Sequence, residues 1–190
     1  TSALLLDDLD ILSTPISYIS CDVIPVDGKS HDITVEMWAF ADFCHAGEYE
    51  PPMRLDFYSE GGLNYGYMGR LHQNILGGSG DQISCDWGYL YLASEDQIDE
   101  APERIDLMLR HRKHAVGQLH TLLLIGYDDI ASINYFGRIL PAYYQRNGNF
   151  FRYLGTRIQV RTLWCRRLSN HSFQKIIFTL LIKRLWGSKR

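Results

Sequence analysis

No acidic residue occurs in the last 40 positions of this 190-residue chain, although the whole carries 22. All 22 acids and 9 of the 19 basic residues lie in 1–150, a net of −13; residues 151–190 hold the other ten basic residues, a net of +10. Cys21, Cys44, Cys85 and Cys165 form no C-x-x-C pair, so metal spacing is absent and no disulfide framework is implied. No apolar run reaches the roughly 18 residues of a transmembrane helix. The apolar start, Ala3 to Leu6, gives way at once to Asp7, Asp8 and Asp10, so a signal peptide's longer apolar region is missing. Gly77-Gly78-Ser79-Gly80 lacks the spacing and following lysine of a phosphate loop and reads as a turn. The chain opens on Thr1, as a processed product or a fragment does.

What the chain has in quantity is aromatic side chains, 12 Tyr, 8 Phe and 4 Trp, which favour strands and fill cores. Residues 12–26 read as a strand rich in β-branched residues, and Asp27-Gly28-Lys29-Ser30 as the turn of an antiparallel hairpin. The returning strand alternates: Ile33, Val35, Met37 and Ala39 on one face, Thr34, Glu36, Trp38 and Phe40 on the other. Trp38 and Phe40 imply that this second face is covered too, as by another sheet. Further strands are expected at 53–59, around Tyr65 and Tyr67, and at 83–93 with Cys85, Trp87, Tyr89 and Tyr91 on one face. The charge-rich stretch 94–116 shows no clear period and reads as a long solvated loop. Leu119 to Ile125 is a short buried strand. After it Ile130, Ile133, Tyr135/Phe136 and Ile139/Leu140 recur at helical spacing, predicting a helix over about 129–145 with Asp128 or Asp129 at its N-cap. The expected fold is mainly β: an antiparallel β-sandwich, a C-terminal linker helix and an irregular or helical basic tail.

Few residues offer chemistry. Asp128 and Asp129 are a carboxylate pair, but general acid–base work needs two carboxyls facing one substrate, and adjacent residues usually point apart. A cap and its solvated neighbour is the favoured reading. His111 and His114 have i, i+3 spacing, yet Arg110, Arg112 and Lys113 crowd them with charge that opposes a metal. Cys44-His45 is adjacent in sequence, which does not align a nucleophile with a base. Trp87, Tyr89 and Tyr91, with Tyr65 and Tyr67, are candidates for a sugar-stacking platform; packing between two sheets is the favoured reading. No complete active site assembles, and no cofactor or metal is expected.

Three stretches carry a resemblance: LSTPISYISCDVIPVDGKSHDITVEMWAFADF (12–43), DQISCDWGYLYLASED (81–96) and LLLIGYDDIASINYFGRILPAYYQRNG (122–148). Together they resemble the N-terminal domain of the glutaminase A-like proteins of fungi and bacteria. The resemblance implies a β-sandwich over residues 1–148 preceding a six-helical-hairpin toroid, and a parent hydrolase converting L-glutamine to glutamate and ammonia. The toroid, which should hold the catalytic machinery, cannot be built from 40 residues, so no catalytic residue is carried over. The chain is expected to be inactive alone, with that helical domain of the same polypeptide as its partner and neither nucleic acid nor membrane involved. Tyr127, Asp128 and Asp129 are the expected contacts at the domain corner. The alternative is an autonomous carbohydrate-binding module built on Trp87. The family likeness implies a secreted or periplasmic protein, though this chain shows no signal peptide. Residues 149–190 form a basic tail expected to be foreign to the family sequence.

Overall fold

The computed structural model describes residues 6–45, 51–77, 86–101 and 107–146. The basic tail, Cys85 and most of the glycine-rich turn lie outside them. Ten strands follow a short helix, α1 (Leu9–Ser13): β1 (Ile16–Val23), β2 (Asp32–Phe40), β3 (Met53–Glu60), β4 (Leu63–Arg70), β5 (Tyr89–Ser94), β6 (Gln97–Glu100), β7 (Met108–Val116), β8 (Leu119–Asp128), β9 (Ile133–Tyr135) and β10 (Arg138–Leu140). A five-stranded sheet in the order β1-β8-β5-β4-β3 faces a three-stranded sheet in the order β2-β7-β6, and β9 and β10 form a separate two-stranded ribbon. All pairings are antiparallel. The mainly β, antiparallel sandwich expected from the period-two runs is therefore the fold.

The layer between the sheets is aliphatic. Met68, Leu90, Leu92 and Leu123 from the larger sheet meet Ala39, Ile98 and Leu109 from the smaller one, with Cys44 closing one end. Each fully buried Leu or Met in such a layer stabilises the fold by about 1.5–3 kcal/mol relative to exposure. Gly66 sets the separation of the sheets: a Cβ there would lie 2.8 Å from both Ile98 Cγ2 and Leu109 Cδ2. The strand holding Tyr65 and Tyr67 thus turns its small residue inward and its rings outward.

Three expectations are corrected. β1 and β2 are not a hairpin: β1 pairs with β8, β2 with β7, and the Asp27–Ser30 turn carries the chain from one sheet to the other. Trp38 lies on the outer face of the smaller sheet, 42% exposed, because the opposite face, with Ile33, Met37 and Ala39, is the one that packs inward. The charge-rich stretch is strand, not solvated loop. Arg110, Arg112 and His114 point outward and pair with Asp99 (2.8 and 3.1 Å), Glu36 (3.4 Å) and Asp32 on neighbouring strands, while Leu109 and His111 point in. Charges that balance across a ladder conceal the alternation when one strand is read alone.

The predicted helix after Asp129 is also replaced. Ile130 has a positive φ of 61°, which breaks a helix in its first turn, and Phe136 and Gly137 (φ 47° and 84°) make the tight turn joining β9 to β10. A 3-10 turn, Tyr143–Gln145, follows. No described helix is long and apolar enough to cross a membrane.

Candidate functional site

The outer face of the five-stranded sheet is where the tyrosines collect. Tyr18, Tyr58, Tyr65, Tyr67, Tyr89 and Tyr91 pack with Ile16, Leu63, Ala93, Leu122, Leu124 and Tyr144. Strand period places them there: in β4 and β5, Tyr65, Tyr67, Tyr89 and Tyr91 stand at odd, outward positions, and Met68, Leu90 and Leu92 at even, inward ones. Tyr58 stacks on Tyr65 across β3 and β4 with centroids 4.6 Å apart, and Tyr67 stacks on Tyr91 at 5.3 Å. Tyr89 meets Tyr67 at 86° and Tyr91 at 60°, both edge-on. Hence the tyrosines do not lie between the two sheets, as the favoured sequence reading had it. They form a cluster on the far side.

At one margin of the face, Tyr67 donates its hydroxyl to Asp56 at 2.8 Å, and the Arg54 guanidinium, bonded to Asp56 at 2.5 Å, sits 5.7 Å from the Tyr67 ring centroid. These hydrogen bonds hold the Asp56 carboxyl below the usual carboxylate range. At the opposite margin lies the aspartate corner. Asp128 faces Tyr89 across the β5–β8 ladder. Its Oδ1 accepts the Tyr144 hydroxyl (3.0 Å), the Gln145 amide (2.6 Å) and the Ile130 N–H (3.1 Å). Tyr144 also reaches Asp129 at 3.4 Å, and Ser132 donates to Asp129. Both carboxylates therefore converge on one buried tyrosine. The sequence reading, in which one caps a helix and the other points away, fails because no helix follows. Burial raises the Asp128 pKa above the ordinary carboxylate range, and burial with Asp128 nearby raises those of Tyr91 and Tyr144.

Trp87 and Tyr127 brace the corner from behind. The Trp87 indole N–H donates to the Ala131 carbonyl (3.4 Å), and the Tyr127 hydroxyl to the Trp87 carbonyl (2.6 Å). Gly88 between them has φ 97°, and a Cβ on it would sit 2.4 Å from the Asp128 carbonyl oxygen. The Trp-Gly-aromatic sequence thus has a structural cause: only glycine lets this turn lie against β8. The structure brings Asp128, Asp129, Tyr89 and Tyr91 onto one margin, with Tyr127 turned toward the sandwich interior. Tyr58, Tyr144, Gln145 and Asp56 join that face without a sequence signal of their own. Only the outward period of Asp56 and Tyr58 could have marked them.

A second polar group lies at the other end of the interior. His111, fully buried, is 3.0 Å from the Thr121 hydroxyl through Nε2, and that hydroxyl donates to Asp96 at 2.5 Å, which also pairs with Lys113. A cleft of about 200 Å³ opens beside it, lined among others by Asp96, Lys113, His120 and Thr121. It is not a catalytic triad. Asp96 and Thr121 both face Nε2, at 3.6 and 3.0 Å, and Nδ1 has no hydrogen-bond partner to orient the ring. Burial holds the His111 pKa below its ordinary value. His114 points to the opposite face of the strand, so the i, i+3 histidines cannot share a metal. Cys44 is buried and donates to the Met68 carbonyl (3.4 Å), a packing role. Among the described residues no three His, Cys, Asp or Glu side chains group as metal ligands.

The fold and this face define the class as an antiparallel β-sandwich domain whose larger sheet carries an outward aromatic cluster. Residues 1–108 match the family described as "Domain of unknown function (DUF5127)", and the chain belongs to that family. No curated protein and no solved structure matches the chain.

Proposed function

We propose that this chain is the non-catalytic N-terminal module of a glutaminase A-like hydrolase, whose tyrosine face and Asp128 corner pack on a helical catalytic domain of the same polypeptide. One observation carries the reading. In a sandwich that stands alone, the outer face of an antiparallel sheet is polar and solvated. Here it is a cluster of tyrosines in which Tyr58, Tyr67 and Tyr89 remain half-buried around the buried Tyr65 and Tyr91. A face of that composition is suited to being covered by protein. The resemblance of residues 12–43, 81–96 and 122–148 to the glutaminase A-like N-terminal domain supplies the kind of protein that covers it.

The carbohydrate-binding alternative needs coplanar, accessible rings. Tyr91 is buried, Tyr89 lies at 60° to it, and the Trp87 indole is tied to Ala131, an arrangement unlike a stacking platform. Two measurements test the proposal. This chain alone should release no ammonia from L-glutamine. Mixed with the separately produced helical domain of a glutaminase A-like protein, it should lose reactivity at Tyr67 and Tyr89 in hydroxyl-radical footprinting. Ammonia release by the chain alone, or saturable oligosaccharide binding that depends on Trp87, overturns it.

A further inference from the structure

One polar link ties the two sheets together beside the cleft. His111 and Lys113 stand on β7 of the smaller sheet, Thr121 on β8 of the larger, and Asp96 at the corner where the chain passes from β5 to β6. The proton count fixes the direction of each bond. Thr121 has one hydroxyl proton and gives it to Asp96 at 2.5 Å. Its 3.0 Å contact with His111 is therefore an Nε2–H donating to the hydroxyl oxygen. His111 is thus the neutral tautomer protonated at Nε2, and its Nδ1 is a bare lone pair on a ring with no exposed surface.

A second proton can go only to Nδ1, and no protein group stands there to accept the new N–H. Register places Met37 of β2 and Ile98 of β6 beside His111, and Thr121 faces it from β8. Two charges face it: Asp96 from the corner favours the imidazolium, and Lys113 from its own strand opposes it. Burial outweighs Asp96, so the ring resists protonation where it lies. Asp96 does not absorb the proton instead: although burial raises its pKa, the hydrogen bonds from Lys113 and Thr121 bring it below the ordinary carboxylate value. A charged His111 must therefore reach water.

The way out lies next to it. The cleft of about 200 Å³ is lined by Asp96, Lys113 and Thr121, the partners of the link itself. The structure around it is lightly built. β6 is a four-residue strand at the edge of the smaller sheet. β5 leaves β8 after the Ala93–Leu124 pair, so β8 from Leu119 to Leu123 is laddered to β1 alone. Such edges open locally at less cost than unfolding the whole domain.

We infer that the His111–Thr121–Asp96 link is a proton-operated latch: once charged, His111 leaves it, and the two sheets part at the cleft while the β3–β4 hairpin stays paired.

Amide hydrogen exchange of the full chain, corrected for the intrinsic effect of pH, reads the opening strand by strand. If only the open form binds the proton, opening is about tenfold more frequent one unit below the ordinary imidazole value of about 6.5 than one unit above it. That loss of protection should appear in β6 and the first residues of β8 and be absent from β3 and β4. His111→Gln keeps a donor for Thr121 but cannot titrate, and should abolish the change. A wild-type chain with no such change, a change of equal size in β3 and β4, or one that survives His111→Gln overturns the latch. Imidazole nitrogen NMR of the wild-type chain decides without any variant. It should find the neutral ring protonated at Nε2; a proton on Nδ1, or titration at or above the ordinary value, overturns the latch as well.

Discussion

Gly88→Ala puts a methyl group where the turn before β5 lies against β8, and its effect follows from the local geometry. The residue has φ 97°, which L side chains rarely adopt, and the added Cβ would lie 2.4 Å from the Asp128 carbonyl oxygen and 2.7 Å from Tyr127 Cε1. The backbone strain costs about 1–3 kcal/mol. The carbonyl is backbone and cannot rotate away, so β5 and β8 must separate, a packing distortion of roughly 1–3 kcal/mol more. Gly28→Ala is the matched control, since Gly28 also has a positive φ (69°) but nothing lies within 4 Å of its added Cβ. That substitution carries the conformational penalty alone, about 1–2 kcal/mol. At roughly 3–5 °C per kcal/mol for a domain of this size, Gly88→Ala should melt about 10 °C below Gly28→Ala. Thermal denaturation followed by circular dichroism reads the difference, and Trp87 fluorescence reports the turn directly. Equal melting temperatures for the two variants would refute the close approach of Gly88 to β8.

Tyr65→Phe removes a buried hydroxyl that has no hydrogen-bond partner, so stability should hold or rise by up to about 1 kcal/mol; a loss of that size in urea titration contradicts the assignment. Burial raises the Asp128 pKa in the folded state, so as pH rises past the ordinary carboxylate value of about 4 the unfolded chain loses its proton first and stability falls. Asp128→Asn should flatten that descent above about pH 4, and an unchanged pH profile of stability refutes it. Burial lowers the His111 pKa, so as pH falls below about 6.5 the unfolded state takes up the proton first and stability is lost. His111→Gln should reduce that loss below about pH 6.5, measured as the denaturation midpoint at each pH.

The sandwich was legible wherever alternation was local. β2, β4 and β5 show it in Ile33–Phe40, Tyr65–Tyr67 and Tyr89–Tyr91, because each has one side chain set committed to a face, while β8 was legible instead as the short apolar run from Leu119. β7 was not legible, because its outward residues are neutralised by Asp99, Glu36 and Asp32 on strands distant in sequence. The β9–β10 ribbon was misread because Ile133, Phe136 and Leu140 fit helical spacing equally well, and only the positive φ at Ile130, Phe136 and Gly137 excludes a helix. As for the site, the sequence singled out Asp128, Asp129, Tyr89, Tyr91 and Trp87, and the structure does bring these near one another. Which side of the sheet the tyrosines occupy was beyond it. Period two says that residues share a face, and the choice between inner and outer depends on where Gly66 admits the second sheet.

The sheet-crossing connections dictate the order in which this chain can fold. Ile16 finds its ladder partner at Gly126, and Asp32 finds its own at Val116. Every ladder hydrogen bond of β1, and every one joining β2 to its sheet, waits for strands synthesised about 70 to 110 residues later, a loop closure that costs on the order of 4 kcal/mol before any contact repays it. A nascent chain can make the β3–β4 hairpin and add β5, but nothing encloses that ribbon until β7 and β8 emerge together. A piece ending at residue 108, where the family match ends, holds one residue of β7 and none of β8. It would leave β1 and β2 as unpaired edges beside a bare aliphatic face, a species prone to aggregate instead of fold. Any working dissection of the domain must therefore keep 16–128 intact.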